Sequence, residues 1–171
     1  MGYRIWVTNL FSLGVVDGEK LNQDLLRVNF VTLCSQYNLD PAKIEPAKSS
    51  LEVIVSNEGA SPYFLVKYGA SHDRPLFVYE WGAKTDIGRR ILKNLMHQGT
   101  SKKLTSHIVK AKSIIEIELS PSQLKDMGLL FAYEIARWVA SRGNGLVLGL
   151  DGIWYELNRY QAFIPVTSKK T

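Results

Sequence analysis

The chain has 171 residues, 46% hydrophobic and 22% charged, with a formal net charge of +5. That balance excludes a disordered chain, and a chain of this length buries roughly 70% of the surface it exposes when unfolded. A single cysteine, Cys34, excludes an internal disulfide, and no apolar run approaches the ~18 residues of a bilayer-spanning helix. Met1–Trp6 lacks the basic-then-apolar pattern of a secretory leader, so the expectation is a cytoplasmic protein with no membrane partner.

In chain order, Tyr3–Asn9 alternates as a strand, with Tyr3, Ile5 and Val7 on one face and Arg4, Trp6 and Thr8 on the other. Leu21–Tyr37 carries apolar residues at helical spacing and predicts one long helix, with Cys34 as a small buried hydrophobe late in it. Asp40-Pro41 and Pro46 read as breakers. Leu51–Ser56, Tyr63–Tyr68 and Leu76–Trp81 are β-branched and aromatic runs that predict an antiparallel meander, with a polar turn at Gly69–Arg74. Thr85-Asp86 starts a second helix, whose stripe is Ile87, Ile91, Leu92, Leu95 and Met96 and which stops near Gly99. Thr100–Lys112 reads as a basic connection, and Ser113–Leu119 as a strand.

Ser120-Pro121-Ser122-Gln123 combines an N-cap, a first-turn proline and a capping-box glutamine, so a third helix is expected over about 121–142. It is apolar over most of its circumference, leaving only Glu134, Arg137 and Ser141 as a polar stripe, and it should therefore be central and buried. Gly143 is expected just beyond its end. Asp151-Gly152 between Leu146–Leu150 and Ile153–Leu157 predicts a two-residue hairpin, and Phe163–Val166 a last strand held to a sheet edge by Pro165. Thr167–Thr171 is a polar tail.

These elements predict an α+β fold: a mostly antiparallel sheet with about three helices on one face, in a single domain 1–171, with 1–83 and 84–171 as two lobes. Residues 1–83 carry 7 basic and 9 acidic groups, residues 84–112 carry 8 basic groups against Asp86, and the remainder balances at 6 and 6. The whole positive excess thus lies in one segment.

Function is much less legible. Glu80, His72 with Asp73, Glu116, Glu118, Asp151 and Glu156 form no nucleophile–base–orienter set by spacing, and Glu116 and Glu118 read as a solvated strand face. His72, His97 and His107 are too scattered for a metal site, and the Gly143–Gly149 glycines precede a strand rather than opening a helix. The expectation is a non-enzymatic protein without cofactor or metal that binds another protein, through strand aromatics such as Trp154 and Tyr155. One alternative is nucleic-acid or other polyanion binding by Lys84, Arg89, Arg90, Lys93, Lys102 and Lys103 of the 84–112 segment. A second is an enzyme whose site assembles from scattered residues such as Glu80, His72, Glu134 and Arg137. Exposed edges and aromatics also leave room for a homodimer.

Overall fold

The computed structural model describes residues 2–56, 63–69, 74–98 and 101–166. The His72-Asp73 turn, the Gly99 helix stop and the Thr167–Thr171 tail lie outside them. Strict alternation builds the strands: β1 (Tyr3–Asn9), β2 (Glu52–Ser56), β3 (Tyr63–Lys67), β4 (Leu76–Gly82), β5 (Ser113–Leu119), β6 (Leu146–Leu148), β7 (Trp154–Leu157) and β8 (Phe163–Pro165). They form one sheet in the order β2-β3-β4-β5-β1-β6-β7-β8, with every pairing antiparallel. Register Ile5↔Ile117 and Val7↔Ile115 lines apolar side chains on one face, while Trp6↔Leu148 and Thr8↔Ile114 line the other. Pro165 does sit on an edge strand, where a missing N–H is harmless.

The first face is covered by α1 (Gly18–Leu26), α2 (Phe30–Gln36), α3 (Ile44–Ser49) and above all α6 (Met127–Gly143). Phe131 of α6 is fully buried, edge-on to Phe30 at 5.0 Å and tilted against Tyr68 at 5.3 Å. Such aromatic pairs add about 0.5–1.5 kcal/mol beyond the area they bury. The central, buried helix expected from composition is therefore present, with different ends. The Ser120 capping box closes a 3-10 turn over Pro121–Lys125, and Asp126 caps α6 itself by accepting from Gly128 N at 2.7 Å and from the Tyr68 hydroxyl at 2.8 Å. At the other end Gly143 is helical and Asn144 takes the left-handed geometry, φ 51°. A Cβ at Gly143 would lie 2.2 Å from the side chain of Asn9, which donates to Val139 O, so glycine is needed there for close approach of β1.

The second face corrects the expected one-sided layering. Two helices, α4 (Asp86–Met96) and α5 (Lys102–Lys110), pack on it and enclose a separate core of Leu95, Leu104, Ile108, Ile114, Leu146, Leu148 and Trp154. With them the described residues form six α-helices rather than about three. The predicted Leu21–Tyr37 helix is cut because the Asn29 side chain caps α2 from inside it, accepting from Val31 N. Pro46 does not break α3, since it falls in the first turn where no N–H is required. The basic connection folds as α5 because Ser101 caps Leu104 N at 3.1 Å and Leu104 and Ile108 share one buried face. The Asp151-Gly152 turn is longer than two residues: strands end at Leu148 and resume at Trp154, and of this pair only Gly152 has positive φ.

Replacing Phe131 by Ala should lower unfolding free energy by about 3–5 kcal/mol. Ile87→Ala, at a residue 48% exposed although it belongs to the predicted apolar stripe, should stay within about 0.5 kcal/mol. Urea unfolding of the two variants checks the contrast, and comparable losses would contradict this core.

Candidate functional site

The residues singled out in sequence fall in three places. Lys84, Arg89, Arg90, Lys93, Lys102 and Lys103 are all exposed on or beside α4 and α5, which form a basic cap over one end of the sheet. Thr85 starts α4 by accepting from Gly88 N, which fixes this cap to the end of β4. Of the eight cations in 84–112, only Lys103 is ion-paired among the described residues, to Glu156. His107 is not part of this charge: its Nε2 lies 2.7 Å from Thr8 O, and burial pushes the imidazole below its ordinary pKa. Trp154 is 5% exposed in the core beneath the cap, so its ring faces no solvent. Tyr155 points the opposite way, to the α6 face.

Beside the cap, the second sheet face continues over β2, β3 and the parts of β4 and β5 away from Trp81 and Ile114 without a helix among the described residues, while Trp81 itself packs against the α4–α5 core. Phe77, Tyr79 and Trp81 stand in line on β4, with ring centroids 6.2 Å and then 5.9 Å apart. The Arg74 guanidinium lies 5.2 Å from the Phe77 centroid and pairs with Glu118. Glu116, expected to be solvated, is instead only 9% exposed and accepts from Arg4 Nε at 2.9 Å and Trp81 Nε1 at 3.0 Å. Burial of this carboxylate is tolerated because both its oxygens are satisfied, one by a cation. Ile54 and Leu65, half-buried, extend the patch toward the β2 edge.

A different hollow, of about 400 Å³, opens on the α6 face between α2 and the β7–β8 hairpin. Tyr37, the residue capping the end of α2, stacks at 6.1 Å on Tyr133 of α6. Tyr155 of β7 and Phe163 of β8 close the far wall, and Tyr155 donates to Asp151 Oδ2 at 2.5 Å. Asp151 Oδ1 accepts from Ile153 N at 3.0 Å, and the Tyr133 oxygen accepts from Leu150 N at 3.0 Å. An adjoining hollow of about 380 Å³ adds Glu134 and Arg137, which are 3.1 Å apart. Burial pushes the Glu134 carboxyl up, and Arg137 opposes the shift.

Of the scattered residues considered for catalysis, Glu134 and Arg137 do converge in the adjoining hollow. Glu80 instead accepts from Leu13 N at 2.9 Å and lines neither hollow, and His72 lies outside the described residues. Tyr133 is pushed up to about 12 by burial and Tyr155 to about 12 by its bond to Asp151, so both phenols stay protonated at neutral pH. Cys34 is buried against Met127 Sδ, and desolvation pushes its thiol up. Among the described residues no group of three or more His, Cys, Asp or Glu side chains is placed to hold a metal, and no helix is long and apolar enough to cross a membrane. Comparison of the chain with family models, curated proteins and solved structures gives no match.

The two tyrosines make a testable linkage. Their folded pKa values of about 12 lie above the ordinary 10.0, so their contribution to stability is complete below pH 10 and is lost as pH rises through about 12. Urea midpoints measured stepwise across that window should fall, and Tyr133→Phe should flatten the slope; an unaltered slope contradicts the burial of this phenol.

Proposed function

We propose that this protein works by binding another protein, and that the contact surface is the helix-free aromatic face of the sheet. The observation that carries the reading is the row Phe77–Tyr79–Trp81 flanked by Arg74 and Arg4. A sheet face meant only for solvent carries polar residues throughout, whereas this one sets aromatic and aliphatic side chains among Arg4, Arg74, Glu116 and Glu118. Aromatic rings and arginines dominate the energetics of protein contacts, because they bury large areas at small entropic cost. The Arg4–Glu116–Trp81 hydrogen bonds hold the Trp81 end of the row before any partner arrives, which lowers the ordering cost of association.

Affinity capture from native cell extract tests the surface. Phe77→Ala combined with Arg74→Ala should weaken retention of a stoichiometric partner by about 30-fold or more, the effect of losing one strong contact residue, with the melting temperature of the variant recorded alongside. A second copy of the chain as the partner would show as concentration-dependent sedimentation of the wild type and its loss in the same variant. Retention unchanged by the double substitution removes the reading.

A second reading is favoured by a separate observation, the cations of α4 and α5 that, Lys103 apart, have no ion-pair partner among the described residues. Under it the cap binds a polyanion such as nucleic acid, with affinity falling steeply as salt rises. Arg89→Glu with Lys93→Glu should then abolish binding to duplex or single-stranded nucleic acid. Binding that is absent at low salt, or insensitive to these charges, eliminates it.

A further inference from the structure

We propose that the hollow between α2, α6 and the β7–β8 hairpin is an aromatic cage for a quaternary ammonium group. Four rings from four different elements line it: Tyr37 after α2, Tyr133 on α6, Tyr155 on β7 and Phe163 on β8. Their mutual geometry is fixed, with Tyr133 and Tyr155 both edge-on to Phe163 at 6.1 Å and 5.9 Å. The volume of about 400 Å³ falls within the roughly 300–1,000 Å³ range of small-molecule sites.

Charge selects the class of ligand. Among the described residues Asp151 is the only charged one in the lining, and its carboxylate is held in place by the Ile153 N–H and the Tyr155 hydroxyl. An anion would face that carboxylate and the negative faces of the rings. A metal ion needs several oxygen ligands, and one carboxylate among Leu129, Leu150 and aromatic carbon does not supply them. A primary ammonium brings three N–H donors, most of which this lining would leave without acceptors. A quaternary ammonium has no donors to satisfy, spreads its charge over methyl groups, and gains from each ring face it meets.

The cluster already holds one cation from its outer side. The Arg137 guanidinium sits 4.7 Å from the Phe163 centroid, with its charge balanced by Glu134 in the adjoining hollow. The inner side has the same kind of rings and its own carboxylate, but no cation in its lining among the described residues. Protonated phenols keep the rings neutral across the physiological range, so the attraction is not pH-gated there. The cage lies on the opposite side of the sheet from the Phe77–Trp81 row, and it stands whether or not that surface binds a protein.

The probes are choline, its neutral tert-butyl analogue, and matched peptides carrying trimethyl-lysine or unmodified lysine, titrated against the full chain by NMR and calorimetry. Choline or the trimethyl-lysine peptide should bind at least about tenfold more tightly than its uncharged or unmethylated counterpart. Asp151→Asn and Tyr37→Ala should each weaken that binding several-fold, and Tyr160→Ala, at an exposed tyrosine outside the hollow, should not. Tyr37 is 42% exposed, so its removal leaves the fold intact and keeps the comparison valid. Tighter binding of the methylated peptide assigns the cation to a modified protein, and tighter binding of choline assigns it to a free metabolite. Equal affinity for the neutral analogue, or no saturable shift of the folded wild type at millimolar probe, overturns the cage.

Discussion

Burial of α6 against β1, β5 and β6 is the contact on which the rest of the molecule depends. Eleven of its 17 residues are buried, and it touches strands from both halves of the chain. Only an all-round apolar helix can sit this way, because α1 and α2 close over its flanks while the sheet takes its base. Its N-terminus is tied down through Asp126 and Tyr68, and its C-terminus through Asn9, which enters the space left by Gly143 and Gly145. Leu10 N and Phe11 N add two further bonds to the carbonyl of Gly143. The helix is thereby fixed at both ends to strands that are neighbours neither in sequence nor in the sheet.

With that layer complete, the remaining differences between the two sides of the sheet become meaningful. On the far side, α4 and α5 cover the part that carries Ile114, Leu148 and Trp154, with Trp6 and Trp81 packed at its margin. The uncovered part keeps its apolar and aromatic residues, and Glu116 and Glu118 there are neutralised by Arg4 and Arg74. On the near side, the covering is incomplete where α2 ends at Tyr37, and the hollow beside Tyr133 results from that short helix. Both surfaces therefore arise where a helix stops before the sheet does.

Strands were legible in the sequence and helices less so, for physical reasons. A period of two needs only the residue itself and its neighbours, and Tyr3–Asn9 and Ser113–Leu119 are found with the expected bounds. Helix boundaries depend on side-chain caps that compete with the periodic pattern. Asn29 and Ser101 are such caps, and neither precedes a long enough apolar stripe to stand out. The buried carboxylate at Glu116 was hidden because its donors lie on two other strands, at Arg4 and Trp81. The aromatic hollow was hidden for the same reason: Tyr37, Tyr133, Asp151 and Phe163 meet only after α2, α6 and the last hairpin have packed, and no local spacing encodes that meeting. Asp151 has a complete explanation as a turn residue, which masked its position at the rim.

The strand order has a kinetic meaning as well. β1 is synthesised well before its partners, which are β5 and β6, with Ile5 opposite Ile117 and Val7 opposite Val147. Its apolar residues must wait, unpaired, until β5 has been synthesised. Closing such distant pairs is entropically slow, and a waiting strand is a template for wrong partners. Slow closure of the sheet around its earliest strand is the burden that this topology imposes on folding.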